Sequence, residues 1–580
     1  LKTLTGGICG SVGYGSGVAA LKPVSNTEVP KYIINDCTAE VERFRNAQTL
    51  CEERINKLLG DTENHEENSL DIMKAYRMIL RDESFFKKAL NRLEPEKLNI
   101  EYLVYDECQK VVIKFEALND PYLRERATDI ENVCNELIDV MLGREIKLKI
   151  DASIGDNIII VADDLTPSET ITMDKTLVSA IVTERGGKTS HTVILAKTLG
   201  IPAIVGLKGV TGSVSDGDLL LVDAFRGAII INPDKECKSE FMALSKDYNN
   251  KIKQYAKSSG EPAITLDGRK IDVNINTGDK ESISSFDANK CDGIGLLRTE
   301  FLYMNRNDYP DEDTQFAVYR DLAGRAEGKQ VIIRTLDIGG DKQVRYLDLP
   351  KEDNPVLGYR AIRLCLTRPD VFHTQLRAIL RASNFGNVKI MFPMIVNVEE
   401  LRQARVCMNK AKESLRQDGI LFNEDIPTGI MIETPAAVLI CDKLALESDF
   451  FSVGSNDLIQ YITATDRMNE NVQYLHDSYN LSVLKAIKIV AESAQSAGIP
   501  WGICGEVASE EKLIPLWVAL GVSELSVPPG IVGRIKHLIR KMDSSKIESD
   551  AQKIFDLETA DEVSSALDAL KNDLKTKPTS

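Results

Sequence analysis

The 580-residue sequence predicts a multidomain α/β protein: a small α/β domain split by an inserted helical bundle, a linker helix, and a (β/α)8 barrel of the TIM type. Three observations predict it. Residues 29–142 are almost free of glycine and carry apolar side chains at helical spacing, as in Ile72, Ala75, Tyr76, Ile79 and Leu80. Glycine-rich and β-branched pieces flank that stretch on both sides. Beyond residue 263, short apolar runs alternate with amphipathic segments in the rhythm of a parallel sheet.

Segments 6–20, 157–162, 178–183, 203–206 and 218–231 read as the strands and turns of one α/β domain, assigned to residues 1–28 and 143–232. The insert, 29–142, reads as a bundle of about four helices. Residues 233–259 set Met242, Leu244, Tyr248 and Ile252 among lysines and acids, which predicts one long helix. Ser258-Ser259-Gly260-Glu261-Pro262 breaks it, so 233–262 is expected to be a linker. The barrel, 263–580, has eight candidate strands, at 271–275, 293–297, 331–336, 388–392, 429–432, 450–453, 501–504 and 524–527.

Composition narrows the chemistry. A formal charge of −17 argues against nucleic acid and anionic membrane surfaces as partners, because both need a basic face. No run approaches the roughly 18 consecutive apolar residues of a membrane span, so membrane insertion is not expected. The 11 cysteines lack any CxxC pair or metal-ligand spacing and no signal peptide opens the sequence, so reduced thiols in a cytoplasmic enzyme are the expectation.

One of only 5 histidines, His191, lies in Gly186-Gly187-Lys188-Thr189-Ser190-His191-Thr192. Thr189 or Ser190 reads as the N-cap of a helix that runs through Val193, Ile194, Leu195, Ala196 and Leu199 and ends at Gly200-Ile201-Pro202. Unpaired N–H groups and the positive end of the helix dipole keep a first-turn imidazole neutral and nucleophilic and stabilise an incoming phosphate. That suits a histidine that becomes phosphorylated; a capping-region histidine without chemistry is the plainer alternative.

Arg298, Arg334, Glu433, Asn456 with Asp457, and Cys504 all fall at or near the C-terminal end of a predicted barrel strand. Arg298 and Arg334 offer planar forks to a phosphate dianion, although each alone could be a surface ion pair. Glu433 and Asp457 suit an octahedral Mg²⁺ that shares its shell with substrate oxygens and water; N-capping is the alternative for both. Gly339-Gly340-Asp341-Lys342 adds a candidate anion nest. Cys504, at a buried strand exit, could simply be a packed thiol. Together the arginines and acids describe a pocket for a small, doubly anionic phosphorylated acid held through a divalent metal.

From about residue 4 to 575 the motifs resemble, in order, those of enzyme I of the bacterial sugar phosphotransferase system, the phosphoenolpyruvate-protein phosphotransferases. The likeness is carried by the His191 stretch with Ile201-Pro202-Ala203-Ile204-Val205-Gly206, by Gly293-Ile294-Gly295-Leu296-Leu297-Arg298-Thr299-Glu300-Phe301-Leu302 and by Arg334-Thr335-Leu336-Asp337-Ile338-Gly339-Gly340-Asp341-Lys342. Further support comes from Asn354-Pro355-Val356-Leu357-Gly358-Tyr359-Arg360, Ile432-Glu433-Thr434-Pro435, Gly454-Ser455-Asn456-Asp457 and Asp466-Arg467. The resemblance implies that His191 takes the phosphoryl group of phosphoenolpyruvate on Nε2 and passes it to a histidine of the phosphocarrier protein HPr. It implies that Arg298 and Arg334 hold the phosphate, Glu433 and Asp457 ligate Mg²⁺, Asn456 and Arg467 complete the substrate contacts, and Cys504 protonates the enolate to give pyruvate. A homodimer through the C-terminal barrel is implied as well.

Some positions depart from the family. On the helix 71–82, Lys74, Tyr76 and Arg81 are expected to make the carrier-docking face more basic, and Val527-Pro528-Pro529-Gly530 is unusual at the last strand end. Phosphoenolpyruvate synthase and pyruvate phosphate dikinase share related domains but need an ATP-binding domain, and no Gly-x-x-x-x-Gly-Lys-Ser/Thr loop is present. A regulatory paralogue without turnover is disfavoured by the retention of His191, Cys504, both acids and both arginines.

Overall fold

The computed structural model describes residues 2–22, 29–60, 67–116, 121–144, 157–166, 169, 177–187, 190, 192–193, 196–197, 200–304, 306–339, 346, 349–467, 469 and 471–573. Two compact units divide the chain, Leu1–Asn249 and Asn250–Ser580.

In the first unit, strands β1 (Lys2–Leu4), β2 (Ile8–Ser11), β3 (Tyr14–Leu21), β4 (Ile158–Ala162), β5 (Val178–Thr183), β6 (Ala203–Val205), β7 (Leu219–Asp223) and β8 (Ala228–Ile231) form one sheet. Their order is β1-β8-β7-β3-β4-β5-β6-β2. Pairs β3-β4, β4-β5 and β5-β6 are parallel and the others antiparallel. The apolar run of β4 is buried at every position because both sheet faces are covered: Ile159 and Val161 join one core, Ile158 and Ile160 the other.

The insert contains five helices rather than four among the described residues: α1 (Cys37–Gly60), α2 (Glu67–Leu80), α3 (Glu83–Glu96), α4 (Ile100–Glu116) and α5 (Pro121–Met141). Asp82 separates α2 from α3 by accepting the Ser84 and Phe85 backbone N–H groups at 2.9 and 3.2 Å, which starts a new helix. Phe44, Met73, Phe86, Leu103 and Leu137 fill the bundle core. Tyr76 belongs to that core, 1% exposed, with its hydroxyl accepting from Asn132 Nδ2 at 3.1 Å. It therefore adds nothing to a docking face, contrary to the expectation for the 71–82 helix. Arg81 is exposed and ion-paired with Glu52, and Lys74 and Met78 of α2 are exposed as well.

The predicted linker helix is α6 (Lys235–Ser259). Phe241 and Tyr248 pack edge-on against Tyr14, with centroids 5.3 and 5.8 Å away, and Tyr248 also meets Phe225 at 5.2 Å. At the other end, Tyr255 stacks on His537 at 5.3 Å, and the buried Lys536 donates to the Ser259 carbonyl at 3.0 Å.

The second unit is a closed barrel of eight parallel strands: β9 (Asp272–Thr277), β10 (Gly293–Leu297), β11 (Gln330–Arg334), β12 (Asn387–Phe392), β13 (Thr428–Ile432), β14 (Phe451–Gly454), β15 (Trp501–Cys504) and β16 (Glu524–Val527). All eight candidate strands are present, three of them with the expected bounds. Inside the barrel Leu296, Ile332, Met391, Met431, Phe450 and Cys504 pack together; the larger core lies between strands and outer helices.

Gly227 carries a test of the first unit. Its φ is +60°, its carbonyl accepts from Gly7 N at 3.0 Å, and a Cβ there would sit 1.9 Å from the Gly7 carbonyl oxygen. Gly227→Ala is expected to destabilise this unit by roughly 2–3 kcal/mol, from backbone strain and overlap together. Thermal unfolding followed by circular dichroism checks it.

Candidate active site at the C-terminal mouth of the barrel

Strand ends bring the predicted barrel residues to one place. Arg334 closes β11 and is 5% exposed; its guanidinium pairs with Glu300 and, at 2.9 Å, with Asp337. Asp337 also holds Arg360, whose NH2 lies 2.8 Å from Oδ1, and the same nitrogen stands 3.7 Å from Asp457. Arg467 reaches Asp457 from the other side at 3.8 Å. Burial opposes the charge on Arg334, but Glu300, Asp337, Glu433 and Asp457 outweigh it and raise its pKa, so it is a permanent cation.

Beneath these pairs runs a buried network. Thr299 Oγ1 donates to the Arg334 carbonyl at 3.0 Å, Gln375 Nε2 donates to Thr299 Oγ1 at 3.1 Å, and Gln375 Oε1 accepts from Leu336 N at 2.9 Å. The backbone that carries Arg334 is thus tied on both sides. Arg298, one residue past β10, is exposed, and its side chain lies against Gly278, where a Cβ would sit 2.6 Å from the Arg298 Cβ.

Glu433 follows β13 and is fully buried. Oε1 accepts from Met394 N at 2.6 Å, and Oε2 has no hydrogen-bond partner among the described residues. Met394 adopts φ +58°, a left-handed conformation that aims its N–H at the carboxylate. Room for Oε2 comes from Gly454, where a Cβ would lie 2.7 Å from it. Burial pushes the Glu433 carboxyl up to about 8, with Asp457 and then Asp337 adding to the rise and Arg334 and Arg360 opposing it. Asp457 and Asn456 stand in the first turn of the helix Ser455–Thr463, directly after β14. Asn456 Oδ1 accepts from Glu506 N at 3.0 Å, and the Asn456 carbonyl meets His476 Nε2 at 3.3 Å.

Cys504 ends β15, 2% exposed. Its Sγ accepts from Ser452 Oγ at 3.4 Å and donates to the Val453 carbonyl at 3.4 Å. Burial pushes the thiol up to about 11, so it is protonated at neutral pH and able to act as an acid.

Arg334 Nε and Glu433 Oε2 are both buried without partners among the described residues, and the two side chains act on each other electrostatically. Buried polar groups are normally paired, so this pair of neighbours marks a place for a polar ligand. The orphaned Glu433 oxygen and the nearby Asp457 carboxylate fit a hard divalent cation bound by two protein carboxylates. Among the described residues no cluster of three or more His, Cys, Asp or Glu side chains is arranged to hold a metal ion.

His191, Lys188 and Thr189 lie outside the described residues, as do Gly340, Asp341 and Lys342 of the candidate anion nest. Around His191, Ser190 N donates to the Gly187 carbonyl at 3.0 Å and Val193 N to the Ser190 carbonyl at 2.9 Å, and Thr192 and Val193 are helical. Reasoning from sequence gave no role to Glu300, Asp337 or Arg360. The signal was present in the quoted motifs: an acid three residues after Arg334, and a second arginine in the loop beyond.

Three family descriptions match the chain: "PEP-utilising enzyme, N-terminal" over residues 6–126, "PEP-utilising enzyme, mobile domain" over 154–227, and "PEP-utilising enzyme, PEP-binding domain" over 252–544. The chain is 39% identical to a phosphoenolpyruvate-protein phosphotransferase of Bacillus subtilis, across 95% of this chain and 97% of the relative. It is 38% identical to the one of Listeria monocytogenes, across 96% and 97%. A solution structure of an enzyme I protein is 31% identical over 42% of this chain and 99% of that one, with a TM-score of 0.36.

The charge state of Glu433 yields a second test. A carboxyl whose folded value is raised destabilises the fold progressively as pH climbs from the ordinary glutamate value through about 8, because the native state must then hold a buried charge or a proton. In metal-free protein at pH 8, Glu433→Gln is expected to raise stability by a few kcal/mol. Chemical denaturation at pH 6 and pH 8 checks both the gain and its growth with pH.

Proposed function

The chain belongs to the phosphoenolpyruvate-protein phosphotransferase family, and from that premise we propose how its own residues carry out the transfer of the phosphoenolpyruvate phosphoryl group into the phosphotransferase system. His191 Nε2 attacks phosphorus; the P–O bond breaks, phosphohistidine forms, and the enolate of pyruvate remains at the barrel mouth. Phosphohistidine then delivers the group to a histidine of HPr. Arg298 and Arg334 hold the phosphate oxygens, and Asn456 and Arg467 orient the substrate. Asp337 and Glu300 hold the Arg334 guanidinium in place and charged, so no reorganisation is needed as charge redistributes in the transition state. Cys504 gives its proton to the enolate carbon.

Glu433 and Asp457 are the residues that would hold Mg²⁺. Bound there, the ion would supply Lewis-acid stabilisation of substrate oxygens. The observation that carries this reading is the convergence of Arg334, Glu433 and Cys504 around unpaired buried polar atoms at the strand ends.

The proposed domain roles follow the sequence: residues 1–28 and 143–232 carry phosphohistidine, 29–142 dock the carrier, 233–262 link, and 263–580 bind phosphoenolpyruvate and dimerise. Because His191 and the barrel residues belong to different units of the chain, His191 has to visit the barrel mouth and leave it again in each turnover. No helix among the described residues is long and apolar enough to cross a membrane; the cytoplasmic location we propose rests on the family.

The deciding experiment incubates the protein with phosphoenolpyruvate and Mg²⁺ but no nucleotide. Acid-labile, alkali-stable phosphate should appear on His191, and His191→Ala should abolish both it and pyruvate release while the circular dichroism spectrum stays unchanged. Pyruvate formation by that variant would sink the assignment. Separately, Cys504→Ala should lower kcat for pyruvate by roughly 10²–10⁴ while leaving KM for phosphoenolpyruvate nearly constant. Steady-state kinetics would show a normal kcat if the thiol merely packs.

A further inference from the structure

We infer that Ser452 is the positioning residue for the Cys504 thiol: its hydroxyl holds the sulphur in place for proton delivery and stabilises it once the proton has left. This rests on the proposed role of Cys504 as the acid. Ser452 lies on β14 and is 5% exposed. Its register partner on β15 is Gly502, which has no side chain to fill the space beside it, and Gly454 is the partner of Cys504. Flanked by these two glycines, the Ser452 hydroxyl and the Cys504 sulphur meet across the strand pair at 3.4 Å. Since Cys504 Sγ donates to the Val453 carbonyl, Ser452 is the donor in its own contact and occupies a sulphur lone pair.

The apolar neighbours of the sulphur inside the barrel are Leu296, Ile332, Met391, Met431 and Phe450, none of which can donate a hydrogen bond from its side chain. In the step Ser452 serves, the enolate takes the thiol proton at C3. The C3–H bond forms, the S–H bond breaks with its electron pair left on sulphur, and the enolate electrons close C2=O. The products are pyruvate and a thiolate, which regains a proton from water. During that interval the Ser452 O–H is the one direct hydrogen bond a side chain offers to the buried anion among the described contacts, with Arg334 and Arg298 acting through charge. Burial dominates in pushing the thiol up, and the Ser452 hydrogen bond is the largest influence opposing it, ahead of Arg334.

The test uses the full chain with phosphoenolpyruvate, Mg²⁺ and the carrier, in Ser452→Ala, Ser452→Thr, Cys504→Ala and the Ser452→Ala/Cys504→Ala double variant. Ser452→Ala should lower kcat roughly 10- to 100-fold, the loss of one hydrogen bond to a charged group, with KM for phosphoenolpyruvate changed by less than about twofold. In the reverse reaction, where the thiolate removes a methyl proton from pyruvate, the rising limb of the pH profile should move to higher pH. Threonine, which keeps the hydroxyl, should return most of the rate. In the Cys504→Ala background, Ser452→Ala should change nothing further.

A wild-type rate in Ser452→Ala overturns the inference. So does a loss of the same size in the Cys504→Ala background, which would make Ser452 merely structural, or a folded Ser452→Thr protein as slow as the alanine variant. Full activity of Cys504→Ala is a different result: it removes the acid itself, and the assignment of Ser452 falls with it.

Discussion

An imbalance of buried charge governs the barrel mouth. Four carboxyl groups, Glu300, Asp337, Glu433 and Asp457, stand among three guanidinium groups, Arg334, Arg360 and Arg467. Taking ions out of water is expensive unless each is paired, and here the pairing falls short. Asp337 serves Arg334 and Arg360, Glu300 serves Arg334 and Asp457 lies beside Arg360 and Arg467, which leaves Glu433 as the surplus anion; its carboxyl responds by holding a proton. A divalent cation between Glu433 and Asp457 would remove the surplus and ionise Glu433. The same arrangement then presents cationic forks and a metal to a phosphorylated acid. The apo site is set for that ligand by being uncomfortable without it.

Backbone features around Glu433 follow from this constraint. Only a left-handed Met394 aims its N–H at Oε1, and only a glycine at 454 leaves room for Oε2. At Gly505, φ is +100° and a Cβ would lie 2.3 Å from Ser455 Oγ and 2.8 Å from Asn456 Oδ1, so the turn after Cys504 can approach the start of the Ser455–Thr463 helix closely. Such local strain persists because the packed barrel over-determines it.

Much of this fold was legible in the sequence because a parallel barrel writes its strands as short apolar runs bounded by turns. The runs at 293–297, 501–504 and 524–527 coincide with β10, β15 and β16. Helix boundaries in the insert were less legible: what divides α2 from α3 is the side chain of a single residue, Asp82, and capping is invisible to periodicity. Tyr76 was misread as surface although its spacing with Ile72, Ile79 and Leu80 puts it on the apolar stripe; a tyrosine keeps its polar end satisfied in the core by accepting from Asn132. At the candidate site, strand-end position singled out Arg298, Arg334, Glu433, Asp457 and Cys504 as candidates. Asp337 and Arg360 escaped notice because their importance lies in a contact between residues 23 apart in sequence, which no spacing rule reports.

The burial of Cys504 reaches beyond proton transfer. Oxidants and alkylating agents attack thiolates, and a thiol pushed up to about 11 exposes roughly one thiolate in ten thousand molecules at neutral pH. The half-buried Cys9, Cys237 and Cys407 stand nearer to solvent. A cell under peroxide stress would therefore modify those surface sulphurs first. The thiol proposed as the barrel's acid is kept chemically quiet by the same apolar wall that keeps its proton in place, so resistance to oxidation comes with its protonation.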